Sequence, residues 1–179
     1  NRISLGIQSF QDKHLQRLGR IHCGYEARRA LDKARQAGFE RINIDIMHGL
    51  PEQTVEETLN DLEVAVSYAV PHLSWYQLTL EPNTYFYRYP PVLPTEGVLA
   101  EIQREGERLL QNTPLQQYEI SAYSRAGEAC RHNMNYWEFG DYVGIGAGAH
   151  GKVTLHGQVY RYWKYRQPTF KRTSSRDVT

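Results

Sequence analysis

The fold is decided by the opening stretch, Asn1-Arg-Ile-Ser-Leu-Gly-Ile-Gln-Ser-Phe10. Its apolar residues, at positions 3, 5 and 7, alternate with smaller or polar ones, which predicts a strand with a buried face. Gln8 falls where that strand ends, and Arg20 follows twelve positions later, directly after Gly19. Because the carboxyl ends of parallel strands open into the ligand crevice, an amide and a guanidinium at this edge suit a small, polar, partly anionic ligand.

The following segments alternate between helical and extended patterns. In chain order we predict a helix at 24–38, a strand at 41–46, a helix after the capping box Thr54-Val-Glu-Glu57, a strand at 73–80 and a helix after the N-cap Thr95. Strands and helices at this spacing predict βαβ units and a parallel sheet. The last third differs, with a strand at 118–123, a glycine-rich strand or loop at 142–149 and a hairpin turning at His156-Gly157.

Composition sets outer limits on function. The chain has 179 residues, a formal net charge of +1 and two cysteines. The small net charge gives no reason to expect a nucleic-acid partner, and two cysteines give no disulfide framework. No apolar run reaches membrane-spanning length, and no leader pattern opens the chain, so the cytoplasm is the expected location.

A series of motifs carries a family resemblance. They are, in chain order, Arg2-Ile-Ser-Leu-Gly-Ile-Gln-Ser-Phe10, Leu18-Gly-Arg-Ile-His22, Asn43-Ile-Asp-Ile-Met-His-Gly-Leu-Pro-Glu-Gln-Thr54, Leu73-Ser-Trp-Tyr-Gln-Leu-Thr-Leu-Glu-Pro-Asn-Thr84, Gln117-Tyr-Glu-Ile-Ser-Ala-Tyr123, His132-Asn-Met-Asn-Tyr-Trp137 and Gly144-Ile-Gly-Ala-Gly-Ala-His150. In number and order these motifs resemble the oxygen-independent coproporphyrinogen III oxidase-like family of radical S-adenosylmethionine proteins, and within it the haem chaperone branch.

The resemblance implies an α/β fold, the second half of a radical-SAM-type partial (β/α) barrel with appended β-strands. Residues 1–150 would form the C-terminal part of the barrel, and residues 151–179 a β-hairpin and linker towards a missing C-terminal domain. The implied cofactors are S-adenosylmethionine and a [4Fe-4S] cluster, with haem as a further ligand. The family's C-x3-C-x2-C motif is absent, so we expect an internal fragment without metal ligands of its own, inactive alone.

Three residues match cofactor-contacting positions of the family motifs: Gln8, Arg20 and Asp45. Arg20 would pair with the methionyl carboxylate of S-adenosylmethionine, and Asp45 would accept hydrogen bonds from its ammonium or ribose hydroxyls. Gln8 would fix orientation with its amide. The structural alternative is an internal Arg–Asp ion pair that ties a strand to a loop.

Thr79 and His150 match further cofactor-lining positions. Thr79 lies near the end of the third predicted strand. His150 ends a run, Gly144-Ile-Gly-Ala-Gly-Ala-His150, that lacks the Lys-Ser/Thr and following helix of a phosphate loop. We interpret this run as a close backbone approach to a flat ligand or a neighbouring strand. A plain structural histidine is the alternative for His150.

His132 is the candidate haem ligand, because its motif is associated with haem in the chaperone branch. An imidazole can ligate haem iron, and Tyr136 with Trp137 could pack on a porphyrin face. The alternative is a loop pinned by a buried Trp137 and a hydrogen-bonded His132. Cys23 and Cys130 are interpreted as buried small hydrophobic residues.

The resemblance implies a parent protein of haem and porphyrin metabolism. We expect a haem chaperone that passes haem to an unknown acceptor protein, membrane-associated acceptors included. One rival is the oxygen-independent oxidase, which decarboxylates propionates of coproporphyrinogen III. The other is an unrelated, non-catalytic (β/α)-barrel binding module without affinity for S-adenosylmethionine or haem.

We predict that the chain on its own shows no broad iron–sulfur absorbance after anaerobic reconstitution with iron and sulfide. The physical reason is that its two cysteines cannot supply the three thiolates of such a cluster. Absorption spectroscopy and iron and sulfide analysis provide the measurement. Stoichiometric cluster iron and sulfide on this chain would contradict the fragment interpretation.

Overall fold

The computed structural model describes residues 2–166 and 173–177. The chain divides into two compact units, Asn1–Ala129 and Cys130–Thr179. We call them the first and the second unit.

The first unit is an α/β structure, as predicted. Its elements are β1 (Arg2–Gln8), α1 (Asp12–Arg17), α2 (Gly24–Gln36), β2 (Arg41–His48), α3 (Val55–Ser67), β3 (His72–Gln77), α4 (Tyr85–Arg88), α5 (Glu96–Gln111), β4 (Gln116–Glu119) and β5 (Ala122–Ser124). They form one sheet in the order β1-β2-β3-β5-β4. Strands β1, β2 and β3 pair in parallel, which confirms the predicted βαβ units, while β5 pairs antiparallel with both β3 and β4.

The parallel strands have two different faces. Their helix face is apolar and joins the helices in one buried core, made of Ile7, Ile42, Ile44, Ile46, Leu73 and Trp75 from the strands and Leu31, Leu62, Ile102 and Leu110 from the helices. The opposite side, called here the polar face, carries hydrogen-bonding side chains. Because successive strand residues point to opposite faces, burying the isoleucines of β2 commits the residues between them to the polar face.

Helix ends follow the sequence signals closely. At the start of α3 the Thr54 Oγ1 accepts a hydrogen bond from the Glu57 backbone N–H, and a Glu57 carboxylate oxygen accepts one from the Thr54 N–H. This reciprocal pair is the predicted capping box. After α2, Gly38 has a φ of +82°, and the Phe39 N–H donates to the Ala34 carbonyl. Glycine adopts this left-handed conformation easily, so Gly38 ends the helix as predicted.

The predicted strand from Tyr118 to Tyr123 is wrong in one respect, because the chain turns back within it. A carboxylate oxygen of Glu119 accepts hydrogen bonds from both the backbone N–H and the hydroxyl of Ser121. Ile120, at the tip, is exposed. The side chain of Glu119 therefore closes a tight turn between β4 and β5, a local device that apolar periodicity does not register.

The second unit begins with a helix that the sequence patterns did not predict. Its elements are α6 (Arg131–Trp137), β6 (His150–Leu155), β7 (Gln158–Lys164) and β8 (Thr173–Asp177), and the strands form an antiparallel sheet in the order β6-β7-β8. His156 and Gly157 both have positive φ, +51° and +81°, which confirms the predicted hairpin turn.

Strand β8 falls within residues 151–179, which we expected to form a β-hairpin and a linker. Residues 167–172 and 178–179 of that range lie outside the described residues. The domain boundary proposed between residues 150 and 151 stays a prediction about the parent protein.

We predict opposite effects for alanine at two glycines of the same helix, α5. A Cβ at Gly106 would lie 2.2 Å from Cη2 of Trp75, whereas a Cβ at Gly97 would meet no atom within 4 Å. Overpacking should make Gly106→Ala lower the free energy of unfolding by about 1–3 kcal/mol. Gly97→Ala, the matched control, should keep or raise it, by up to about 1 kcal/mol, because alanine favours helix. Urea unfolding measures both; equal stability of the two variants would contradict this packing.

Candidate cofactor site on the polar face

A row of polar side chains crosses the three parallel strands on the polar face. The register places Ser4 opposite Asn43, Asn43 opposite His72, and Asp45 opposite Ser74. The Asn43 Nδ2 donates hydrogen bonds of 2.7 Å both to the Ser4 Oγ and to the Asp45 Oδ1. The Ser4 Oγ donates to the Asp45 Oδ2 at 2.8 Å. Both oxygens of the predicted site residue Asp45 therefore accept a hydrogen bond that fixes the carboxylate's orientation.

Gln8, the second predicted site residue, is buried at the carboxyl end of β1. Its φ is +68°, an uncommon conformation for a residue with a side chain, and the β1–β2 register shifts between Leu5 and Gln8. The Tyr76 hydroxyl donates a hydrogen bond of 2.7 Å to the Gln8 Oε1. A Cβ on Gly6 would lie 3.0 Å from the Gln8 Nε2, so glycine leaves room for the amide. Neighbours on two strands therefore hold the Gln8 side chain in place.

The Tyr76 phenol lies near enough to Gln8, Asp45 and Arg20 for each of them to affect its pKa. Burial raises the pKa of the Tyr76 phenol and the Asp45 carboxylate raises it further, while the hydrogen bond to Gln8 and the Arg20 guanidinium lower it. All three side chains therefore act electrostatically on one phenol.

The Arg20 side chain is exposed and, within the described part of the chain, takes part in none of the ion pairs. The internal Arg20–Asp45 pair considered as an alternative does not form. The Arg20 guanidinium is therefore available to a ligand.

Thr79 lies apart from this polar row, because β3 ends at Gln77 rather than at Leu80 as predicted. Its side chain is exposed and lines a cleft of about 570 Å³. Leu18 and Gly19, from the loop that also carries Arg20, line the same cleft. The structure therefore places Thr79 beside the Arg20 loop, outside the hydrogen-bonded row.

His150 belongs to the second unit, where it is the first residue of β6 and is exposed. The glycine-rich run before it packs tightly on its backbone, since a Cβ at Gly144 would lie 2.2 Å from the His150 carbonyl oxygen. The Gly144 N–H donates to the Tyr162 hydroxyl at 3.0 Å. Of the two close approaches that we considered, the structure shows the one to a neighbouring strand.

His132 lies in the first turn of α6 with its imidazole exposed. Its ring stands edge-on to Tyr136, with ring centroids 5.0 Å apart, and Tyr136 lies 5.0 Å from Tyr142. Trp137 is 57% exposed, so the alternative of a loop pinned by a buried tryptophan is wrong. The motif instead forms a short helix that presents an imidazole beside exposed aromatic rings.

Sequence reasoning missed His72 and Tyr118, which extend the polar row. Burial, assisted by the charge of Arg2, lowers the pKa of His72 to about 4. The His72 Nδ1 lies 2.6 Å from the Asn43 Oδ1, and its Nε2 lies 2.7 Å from the Tyr118 hydroxyl. The alternation of His72, Ser74 and Tyr76 with apolar residues along β3 was the available signal, since it places all three on the polar face.

Neither a metal centre nor a membrane span is found among the residues that the structure describes. There, no three His, Cys, Asp or Glu side chains are arranged to hold a metal ion. Among the described residues neither Cys23 nor Cys130 forms a disulfide, and both are half-buried, rather than fully buried as interpreted. No helix in the described ranges is long and apolar enough to cross a bilayer.

The chain is similar to a protein-family model and to several characterised proteins. Residues 1–64 match the family model of the radical SAM superfamily. The chain is 54% identical to "Heme chaperone HemW" of Escherichia coli, over 94% of this chain and 45% of that protein. It is 40% identical to the mouse protein "Radical S-adenosyl methionine domain-containing protein 1, mitochondrial", over 88% of this chain and 36% of that protein. The chain thus spans less than half the length of these relatives.

A solved structure confirms the predicted fold class. The coproporphyrinogen III oxidase HemN from Escherichia coli, described as a radical SAM enzyme, superposes with a TM-score of 0.74. The match covers 93% of this chain and 41% of that one, at 22% identity. At that identity the likeness establishes the fold, which is part of a radical-SAM-type barrel.

Proposed function

We propose that the parent protein is a haem chaperone of the radical SAM superfamily, because residues 1–64 match the model of that superfamily and most of the chain is similar to HemW proteins. The parent protein would bind haem and a [4Fe-4S] cluster and pass haem to an acceptor protein, membrane-associated acceptors included. The observation that carries this proposal is the 54% identity over 94% of the chain. The cytoplasm is the proposed location.

The polar face suits S-adenosylmethionine through its set of donors and acceptors. The Arg20 guanidinium would pair with the methionyl carboxylate, and Asp45 would accept from the ammonium or the ribose hydroxyls. Gln8 would orient the ligand through its amide. Support comes from the exposed guanidinium of Arg20 and from the two hydrogen bonds that orient Asp45. Thr79 and His150 are proposed as further contacts.

Cofactor chemistry in this proposal depends on groups beyond this chain. When bound, S-adenosylmethionine and the cluster supply one-electron chemistry. The family's cluster ligands are three closely spaced cysteines, which Cys23 and Cys130 do not reproduce. The role of this chain's own residues would therefore be to bind and orient the ligand on the polar face of β1 and β2.

Haem binding is proposed at His132. Its imidazole is exposed, so a haem iron could reach it from solvent. The rings of Tyr136 and Trp137 are also exposed and lie near it in the same helix. His156 lies at a hairpin tip and His150 starts a strand. Neither has an aromatic ring contact among those found in the described residues.

The two rival functions have less support. The oxidase HemN shares the fold but only 22% identity, whereas the HemW identity is 54%. An unrelated barrel module does not account for the match of residues 1–64 to the radical SAM family model.

We predict that Arg20→Ala weakens S-adenosylmethionine binding by about 1–3 kcal/mol, because a charge-assisted hydrogen bond to the carboxylate is lost. Calorimetry on the protein extended to the full length of its relatives, with its cluster, measures this. The matched control is Arg104→Ala, which removes another exposed arginine of the first unit, on α5. An affinity unchanged by Arg20→Ala would contradict the proposed contact between Arg20 and the methionyl carboxylate.

We predict that haem binding depends on His132 more than on either other exposed histidine. Removing an imidazole ligand should shift or weaken the Soret band and lower the affinity. Haemin is titrated into the full-length protein and its His132→Ala, His150→Ala and His156→Asn variants; asparagine tolerates the positive φ at position 156. Circular dichroism checks each fold. Loss of the band in another variant, with His132→Ala unaffected, would contradict the assignment.

A further inference from the structure

His72 lies two hydrogen bonds away from the Asp45 carboxylate. Its Nδ1 contacts the Asn43 Oδ1 at 2.6 Å, and the Asn43 Nδ2 contacts the Asp45 Oδ1 at 2.7 Å. His72 is 2% exposed and Asn43 is 5% exposed, so both side chains are shielded from solvent. The Tyr118 hydroxyl lies 2.7 Å from the other ring nitrogen, Nε2.

The direction of each hydrogen bond in this row is fixed by chemistry. A carboxylate only accepts, so Asn43 must turn its amide N–H groups towards Asp45 and Ser4. Its carbonyl oxygen then faces His72, whose Nδ1 must carry the proton. Since the pKa of His72 is lowered to about 4 by burial, the ring is neutral and its Nε2 accepts from the Tyr118 hydroxyl.

We propose that His72 is a positioning residue for S-adenosylmethionine: its Nδ1–H locks the amide of Asn43, which in turn holds the Asp45 carboxylate in its binding orientation. This inference rests on the proposed function, in which Asp45 contacts the cofactor. Without the His72 donor, the one hydrogen bond left to the Asn43 carbonyl oxygen among the described residues is that from the Ser74 hydroxyl, at 3.2 Å. The Asn43 amide is then held mainly through its N–H groups, and its carbonyl oxygen is left buried with one long hydrogen bond, so the amide and the Asp45 carboxylate that it contacts are less firmly oriented.

The test uses two substitutions that differ in where they place an N–H. The amide of His72→Asn reproduces the Nδ1–H position, whereas that of His72→Gln reproduces the Nε2 position. Calorimetric titration of S-adenosylmethionine into the full-length protein should show His72→Asn within about twofold of the unsubstituted protein. His72→Gln should bind about fivefold more weakly or worse, corresponding to the loss of one hydrogen bond's net contribution.

Asp45→Asn separates failure of this inference from failure of the proposed function. If Asp45→Asn weakens binding while His72→Gln does not, or if both His72 variants lose affinity equally, the positioning role is wrong and the cofactor site stands. If Asp45→Asn leaves the affinity unchanged, the proposed contact at Asp45 is wrong, and the inference falls with it.

A second measurement needs no variant to fold. Two-bond ¹H–¹⁵N correlation spectra of the protein labelled on histidine distinguish the two neutral tautomers. The His72 ring, assigned by its through-space contacts with Tyr118, should be neutral at pH 7 with the proton on Nδ1. A proton on Nε2 instead would overturn the proposal, because Asn43 would then lack the donor that fixes its amide.

Discussion

The structure depends on the parallel pairing of β2 between β1 and β3. This pairing buries Ile42, Ile44 and Ile46 against the helices, at 0–2% exposure. Burying one such side chain stabilises a fold by about 1.5–3 kcal/mol, so the register is strongly fixed. A shift of one residue would exchange the two faces and expose all three isoleucines. The same register therefore holds Asn43 and Asp45 on the polar face.

The packing that buries the isoleucines also sets the positions of the polar side chains on the opposite face. Side chains between the buried isoleucines would carry a large desolvation penalty if they lacked partners. Hydrogen bonds along the row from Ser4 to His72 remove that penalty and also orient Asp45. Stability and ligand orientation thus rest on the same contacts, which is why the interior of the sheet matters to the proposed cofactor site.

The first unit was largely predictable from sequence, because its elements are set by strong local signals. Strict alternation located β2, the Thr54–Glu57 capping box located the start of α3, and Gly38 located the end of α2. The helix α6 was not predicted, since its seven residues are too few to show an apolar period. The turn closed by Glu119 depends on one side-chain hydrogen-bond acceptor, which hydrophobic pattern does not reveal.

The site was predictable residue by residue only where a family motif existed. Gln8, Arg20 and Asp45 came from such motifs, and the structure brings them within electrostatic reach of Tyr76. The role of His72 was missed because it depends on Asn43 of the neighbouring strand β2. The pattern within a single strand does not reveal which residues of other strands lie beside it. Thr79 was placed in a strand because apolar residues continue past the last paired position of β3.

We propose that the polar face of β1 and β2, together with the Arg20 loop, binds S-adenosylmethionine. A crystal structure of the full-length protein with its cluster and S-adenosylmethionine tests this most directly. We expect the methionyl carboxylate to lie against the Arg20 guanidinium, and the ammonium or the ribose hydroxyls to lie against Asp45. Electron density for the whole ligand away from Gln8, Arg20 and Asp45, for example confined to the cleft lined by Thr79 and Gly19, would contradict it.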